Sequence, residues 1–351
     1  MSEKIRIALI GIDHPHGMGW RESLTHVSDK LEISALVPAF DGATSSLEER
    51  HANLPRFGSV TELINSGGDL FDGALVCLPN DQSPDAVIAL ANAGKHILLE
   101  KPGAANAADA QRMAEAVRAN QVSFQNGFIW RYDELANRLR EMVADGRFGK
   151  LISVEMTWVT SNVDRRGSDH YLFDEEKSGG GFFNWLACHH LDLLTYVTGE
   201  SVAAVSARVG NYGETVSAVE DGGSAILDLS GGGLATFTGG YWHPRWMNDI
   251  RWTIRGTERW VHWDPGRPNT GGVLEIHGPQ PQFMAMEETF ELPIDDTTGY
   301  GGKAMVALLH DWIRAIGEGG DCRNTPESTV TVLETIDKIY ESSKNGLRAV
   351  N

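Results

Sequence analysis

The sequence is short of cysteine and of basic residues. Its 351 residues contain three cysteines, without CxxC spacing, at positions 77, 188 and 322. So sparse and odd a count provides neither a disulfide framework nor a zinc knuckle and indicates a reducing compartment, the cytoplasm. Only 30 Lys and Arg accompany 48 Asp and Glu, which gives a net charge of −18. That balance argues against a nucleic-acid partner, because phosphates require neutralising cations.

Long apolar runs are also missing. No stretch approaches the roughly 20 apolar residues that a membrane span needs. The first strand-like run begins after four residues, so we expect no secretory leader and no membrane partner. The composition is otherwise that of a globular protein, with 41% hydrophobic and 22% charged residues, and the length suffices for two domains.

Strand-like and helical patterns alternate over the first 125 residues. Apolar runs at 4–11, 32–37, 73–79, 96–102 and 122–128 are separated by helical patterns at 16–27, 59–66, 83–94 and 107–120. This alternation predicts an α/β domain with a doubly wound parallel sheet. Ligands of such sheets bind at the carboxyl ends of the strands, so Gly11, Pro79 and Glu100 should face one crevice.

The first strand leads into an atypical dinucleotide loop, "IALIGIDHPHG". Of the GxGxxG glycines only Gly11 is present, and Asp13 and His16 stand at the second and third positions. We still expect Gly11, Ile12, Asp13 and His16 to bind a dinucleotide, because the helix N-terminus supplies amide donors. Asp13 is alternatively a helix cap. At the end of the second strand Pro38 stands where an acid would bind the ribose, which leaves NAD and NADP both open.

Several longer stretches resemble the Gfo/Idh/MocA family of NAD(P)-dependent oxidoreductases. They are "GALVCLPN", "AGKHILLEKPGA", "FIWRYDELANRLREMVADGRFGKLISVEMTW", "SGGGFFNWLACHHLDLLTYVTG", "IRGTERWVHWD" and the tail from residue 308 to 346. The resemblance implies a dinucleotide-binding Rossmann domain over 1–125. It further implies a substrate-binding and oligomerisation domain over 126–351, an α+β domain with an open, mainly antiparallel sheet. Alternating patterns at 151–158 and 202–209 agree with this expectation.

The activity implied by the resemblance is hydride transfer between NAD or NADP and a sugar, an inositol-like polyol or a sugar derivative. A homodimer or homotetramer is implied as well. In the family the EKP lysine, here Lys101, contacts the nicotinamide ribose and the substrate hydroxyl. The remaining cofactor-binding residues that we expect, beyond the loop, are Leu78, Pro79, Asn80 and Glu100.

A second motif of the family, GGG…D…H..D, matches residues 179–192. His189 would take a proton from the alcohol and Asp192 would orient it. Spacings of four and three residues should put these positions on one helical face with Trp185, which replaces the family's aspartate and offers a flat surface to a sugar ring. Substrate binding is expected at Arg165, Tyr171, Trp185, His189 and Trp242, whereas His190 is expected to pack.

Two other functions stay open at this point. Asp13, Pro38 and Trp185 would also suit a relative without redox turnover, either a ligand-binding or regulatory protein or an NAD-assisted glycoside-processing enzyme. A metal site of Asp13, His14, His16 and His189 is a third possibility in principle. It has no ordered ligand spacing, and we therefore expect no metal.

Overall fold

The structure, a computed structural model, divides the chain into two compact units. It describes residues 4–11, 13–14, 16–39, 51–163, 166, 170–213, 217–278, 286–346 and 350. One unit comprises 1–132 and 296–331, and the other comprises 133–295 and 332–351. No helix among the described residues is both long and apolar enough to cross a membrane.

The first unit contains a five-stranded parallel sheet of order β2-β1-β3-β4-β5. Its strands are β1 (Ile5–Ile10), β2 (Leu31–Val37), β3 (Gly73–Val76), β4 (His96–Leu99) and β5 (Phe124–Asn126). Among the described residues its α-helices before residue 132 include α1 (Gly17–Thr25), α2 (Val60–Gly67), α3 (Ser83–Asn92) and α4 (Ala107–Asn120). The predicted Rossmann fold is confirmed, because buried apolar runs formed the strands and the intervening amphipathic patterns formed helices.

A segment from the far end of the chain completes this unit. Helix α8 (Gly302–Glu318) buries Met305, Leu308 and Trp312 in the same apolar cluster as Trp20 of α1. Those positions recur at helical spacing, and such a stripe must be covered. The unit therefore differs from the expected domain 1–125: it extends to residue 132 and includes 296–331. Helix α9 (Pro326–Lys344) contains the second boundary.

The second unit is built on an eight-stranded sheet of order β13-β12-β11-β10-β6-β9-β8-β7. The strands are β6 (Leu151–Ser161), β7 (Val202–Gly210), β8 (Gly222–Leu229), β9 (Leu234–His243), β10 (Asn248–Gly256), β11 (Trp260–Asp264), β12 (Val273–His277) and β13 (Met286–Glu291). Only β6 and β9 pair in parallel. The expected open, mainly antiparallel sheet is thus confirmed.

One face of this sheet is buried and the other is more exposed. Along β8 and β10 buried and more exposed residues alternate, as the pleat requires. The helices of the unit before its final segment are α5 (Glu134–Ala144), the short α6 (Glu175–Ser178) and α7 (Cys188–Thr198). On the covered face, Phe182 stacks on Phe237 of β9, and His190 of α7 meets the same ring edge-on.

Candidate active site

Gly11 lies where the end of β1 meets its neighbours. Its φ of +70° is in the left-handed region, and its amide donates to the Val37 carbonyl at 2.8 Å. A Cβ on Gly11 would lie 2.0 Å from the Cys77 carbonyl oxygen. Only glycine therefore fits, and the backbone runs close to the end of β3.

The loop after Gly11 leads into helix α1, which starts at Gly17, one residue after the predicted start at residue 16. The N-cap is His16, which makes no side-chain capping bond. One Asp13 oxygen instead accepts the Ala39 amide, at 3.0 Å, after β2. The capping role considered for Asp13 was wrong, because Asp13 lies three residues before the N-cap. Ile12 falls outside the described residues.

His16 makes a side-chain bridge to the end of β4. Its Nδ1 lies 3.1 Å from Oε1 of Glu100, and the Trp20 indole N–H donates to the other carboxylate oxygen. The imidazole stacks on Tyr300, with ring centroids 4.7 Å apart. Trp20 and Tyr300 were missed by the sequence analysis. Trp20 stands one helical turn after His16, a usable signal, whereas Tyr300 is too distant in sequence for any local pattern to connect it.

Glu100 is a buried carboxylate that stays charged. Burial by itself would raise its pKa, but the charge and hydrogen bond of His16, followed by the charges of Lys101 and His14, lower it to about 2. Lys101 is also buried and is joined to Pro102 by a cis peptide bond. Two ionic groups of opposite sign thus lie at the carboxyl end of β4.

Leu78, Pro79 and Asn80 follow β3 at the same edge of the sheet and are buried. The Pro79 carbonyl accepts the amides of Gln82 and Ser83, which starts α3. The first unit therefore gathers Gly11, Asp13 and His16 and the ends of β3 and β4 at one edge. A glycine without room for a side chain and a helix starting at Gly17 fit a dinucleotide at this edge.

In the second unit two of the three glycines make room for Tyr340 and Glu220. A Cβ on Gly180 would lie 2.0 Å from the Tyr340 hydroxyl oxygen, and one on Gly181 would meet the backbone of Glu220. The Glu220 carboxylate accepts the amides of Gly181 and Phe183 and the Tyr340 hydroxyl, at 2.7, 2.9 and 2.9 Å. Burial nevertheless raises the pKa of Glu220. These contacts anchor the entry to the helix that carries His189.

That helix is not α-helical throughout. Residues Phe183–Ala187 form a π-helical turn, and α7 starts at Cys188. Trp185 therefore lies in the π turn and His189 in the α-helix that follows it, so the two do not belong to one uninterrupted α-helix as expected. His189 and Asp192 lie in α7, both buried, one turn apart. The His189 ring lies 6.1 Å from that of Trp158 on β6.

His190 packs into the covered face of the sheet. Its Nδ1 accepts the Trp252 indole N–H at 2.8 Å, and burial lowers its pKa to about 3. The ring is therefore neutral at physiological pH, with its proton on Nε2. The structure thus supports the packing role expected for His190. The proton-transfer role of His189 stays a prediction.

The expected substrate-binding residues fall into separate places. Trp185 is nearly buried and meets Tyr171 edge-on, with centroids 6.2 Å apart. Trp242 donates its indole N–H to Asp221 at 3.1 Å. Asp221 also lines a small cavity with Trp185, although Trp242 does not. Arg165 lies outside the described residues.

The family of the chain follows from two sequence models. Residues 5–128 match the oxidoreductase family with an NAD-binding Rossmann fold, named GFO/IDH/MocA. Residues 136–262 match the C-terminal domain of the same family. The chain belongs to the Gfo/Idh/MocA family. The predicted family and the NAD-binding class of its first domain are confirmed. Among the described residues no group of three or more His, Cys, Asp or Glu is arranged to hold a metal ion.

Relatives of known activity match most of the chain. D-xylose 1-dehydrogenase (NADP(+)) 2 of Haloferax volcanii is 25% identical over 347 residues, which cover 96% of this chain and 98% of that protein. Inositol 2-dehydrogenase of Rhizobium meliloti is 29% identical over 326 residues, with coverage of 91% and 86%.

Solved structures share the fold. Levoglucosan dehydrogenase in complex with NADH and levoglucosan has a TM-score of 0.86 at 19% identity, covering 99% of both chains. An aldose-aldose oxidoreductase of Caulobacter crescentus has a TM-score of 0.81 at 21% identity, covering 99% of this chain and 100% of that one. At such identities the likeness concerns the fold.

Proposed function

We propose that this protein is an NAD(P)-dependent oxidoreductase that transfers a hydride to or from a hydroxyl-bearing carbon of a sugar, a polyol or a sugar derivative. The family match supports the reaction class. The similarity to xylose and inositol dehydrogenases over nearly the whole chain supports the substrate class.

One structural observation carries the proposal. Gly11, which has no room for a side chain, shares the carboxyl edge of the parallel sheet with the buried Glu100 and Lys101. That edge is the ligand-binding edge of the fold. The cofactor set that we propose there is Gly11, Ile12, Asp13, His16, Leu78, Pro79, Asn80, Glu100 and Lys101.

In the first unit Lys101 is the residue proposed for chemistry. A bound nicotinamide supplies the hydride acceptor or donor. The Lys101 ammonium, buried beside an ionised Glu100, would stabilise negative charge that develops on the substrate oxygen as its proton leaves. Low local polarity strengthens such an interaction, because water screens it less.

In the second unit His189 is proposed as the proton acceptor for alcohol oxidation, with Asp192 one turn later as its orienting partner. Trp185 and Tyr171 form an aromatic pair suited to the apolar face of a sugar ring. Trp242, held by Asp221, is proposed as a further substrate contact. Arg165 stays a prediction from the resemblance.

The experiment is a panel of sugars and polyols assayed with NAD and NADP by nicotinamide absorbance. We expect turnover of at least one polyol or aldose. Lys101→Met should lower kcat/KM by about 100-fold or more, as for loss of one charge-stabilising group. The proposal would be contradicted if folded protein bound neither dinucleotide and turned over no substrate with either cofactor. That result would favour the alternative of a ligand-binding protein without redox turnover.

A homo-oligomer is proposed through the open face of the eight-stranded sheet. The pairing registers put Leu234, Ser153, Arg255, Trp260 and His277 in one row across five strands. Leu234 and Trp260 are exposed there, and the Trp260 ring stacks on His277 with centroids 3.6 Å apart. An exposed aromatic surface on an open sheet face suits a second copy of the chain. The cytoplasmic location also stays a prediction. It is based on the sparse cysteines, and all three of them are free and buried.

A further inference from the structure

We propose that His16 and Glu100 are positioning residues for the dinucleotide. Their bridge would fix the loop between β1 and α1 to the end of β4, a task that glycine cannot perform. This inference rests on the proposed function, since it concerns how the chain holds its cofactor. Within the proposed cofactor set it gives Glu100 an indirect part: the bridge acts through the shape of the loop, and Glu100 itself does not contact the ligand.

The geometry leaves Glu100 little to offer a ligand. Its side chain is 3% exposed, and its two oxygens are taken by His16 and Trp20. His16 is 18% exposed and lies between two rings, stacked on Tyr300 and edge-on to His14 at 5.5 Å. The imidazole thus has three neighbours, the Glu100 carboxylate and the rings of Tyr300 and His14. The backbone of His16 is the N-cap of α1.

The backbone around His16 is held as well. The His16 amide donates to Nδ1 of His14 at 3.1 Å, and the Gly17 amide donates to the His14 carbonyl at 2.7 Å. On the other side of the loop Asp13 accepts the Ala39 amide after β2. Side chains at the second and third glycine positions therefore reach the ends of two different strands.

Tyr300 fixes the outer side of this arrangement. Its amide donates to the Gly19 carbonyl at 3.2 Å, and a Cβ on Gly19 would approach the Tyr300 Cβ to 2.8 Å. Glycine at position 19 lets the segment before α8 lie against α1, which puts the Tyr300 ring over His16. The bridge consequently joins the loop to β4 and to the C-terminal segment.

A physical consequence follows for binding. A loop that is ordered before the ligand arrives does not have to lose its conformational entropy on binding. Charge-assisted hydrogen bonds of low exposure are strong enough to impose that order. Breaking the bridge should release the loop and weaken dinucleotide binding, whichever of the two residues is changed.

The test is a double-mutant cycle on the full chain. The dissociation constants of NADH and NADPH are measured by calorimetry for wild type, His16→Ala, Glu100→Gln and the double variant. We expect each single change to weaken binding about tenfold, the usual effect of losing one charge-assisted hydrogen bond. The double variant should bind no more weakly than the weaker single variant, because the same bridge is lost.

The matched control is His26→Ala, which removes an exposed histidine of the first unit that contacts Thr298 and leaves the bridge intact. We expect its affinity to stay within about twofold of wild type. Additive losses in the double variant would show two independent contacts with the ligand and overturn the inference. Unchanged affinity in His16→Ala, whose ring is partly exposed and which should fold, would overturn it too.

A second measurement keeps the proposed function separate. Hydrogen exchange of the amides of His14, His16 and Gly17 is followed without cofactor. We expect exchange in both single variants to rise about tenfold over wild type. If wild type binds neither dinucleotide and exchange still rises, the cofactor proposal fails while the bridge is upheld as the ordering element. Equal exchange in all proteins would overturn the bridge itself.

Discussion

At the scale of single residues, Gly11 has the most restrictive surroundings in the proposed cofactor site. Both its positive φ and the missing space beside Cys77 require glycine. Gly94, which follows α3, offers a matched comparison, since its φ is +71° but a Cβ there would meet nothing within 4 Å. The two positions separate the cost of the backbone conformation from the cost of the close approach.

Gly11→Ala should therefore be much more harmful than Gly94→Ala. We expect Gly94→Ala to lower the free energy of unfolding by about 1 kcal/mol, the cost of a left-handed alanine. Gly11→Ala should lower it by about 3 kcal/mol, since backbone must also move, and should weaken dinucleotide binding. Urea unfolding measures the first effect and calorimetry the second. Equal losses of unfolding free energy at the two positions would contradict the close approach of Gly11 to the Cys77 carbonyl.

Glu100 has a defined effect on acid stability. Its pKa is lowered from 4.5 to about 2 in the folded protein. A carboxyl with a depressed folded pKa contributes stability above its unfolded pKa, and this contribution is lost as pH falls from about 4.5 to about 2. Its full size is about 3 kcal/mol. Stability falls over this interval because Glu100 binds a proton when the protein unfolds.

Glu100→Gln should remove this acid sensitivity. Its free energy of unfolding should be lower than that of wild type at about pH 6 but should fall less between about pH 4.5 and pH 2.5. Urea unfolding at several pH values gives both curves. Parallel curves over that interval would mean that Glu100 is not held as a low-pKa carboxylate.

At the scale of elements, α8 is the clearest departure from the expected domains. Trp312 on α8 is completely buried in the first unit, whereas Trp246 in the second unit is 72% exposed. Trp312→Ala should cost about 3–5 kcal/mol because it opens a cavity in the core. Trp246→Ala should change stability by about 0.5 kcal/mol or less. Similar effects in chemical unfolding would argue against α8 as a core helix.

The elements also show what the sequence could and could not predict. The five parallel strands and four helices followed from apolar runs and helical spacing alone, because local burial patterns determine them. The position of α8 could not be predicted. Its apolar stripe indicates that one face of the helix is buried, but it does not identify the element that covers that face. The π turn at Phe183–Ala187 was not predicted either, because a helical pattern in the sequence does not distinguish a π turn from an α-helix.

The site divides in the same way. Gly11 and Glu100 were predicted because they end apolar strands of a parallel sheet, whose carboxyl edge binds ligands. Lys101 was predicted from its match to the EKP lysine of the family. The bridge from His16 to Glu100 was not predicted, since it joins positions 84 residues apart. The alternative of Asp13 as a helix cap failed for a related reason: the helix start depends on turns within the loop that no side-chain pattern marks.

At the scale of the whole molecule, the open sheet face leads to a prediction about assembly. We expect sedimentation to give a dimer or tetramer, and Trp260→Glu to shift it toward monomer, because a charge would be buried in the contact. Leu70→Glu is the control, since Leu70 and Trp260 are both 37% exposed but Leu70 belongs to the first unit. A monomeric wild type, or equal effects of both changes, would contradict this assignment.

Dinucleotide binding by the first unit is the central claim, and thermal unfolding tests it most directly. The full chain is unfolded with and without millimolar NAD, NADH, NADP and NADPH. A ligand that binds only the folded protein stabilises it by about 2.7 kcal/mol at 100 times its Kd, so the midpoint should rise by several degrees with at least one dinucleotide. An unchanged midpoint with all four, in protein freed of any co-purified nucleotide, would contradict the account.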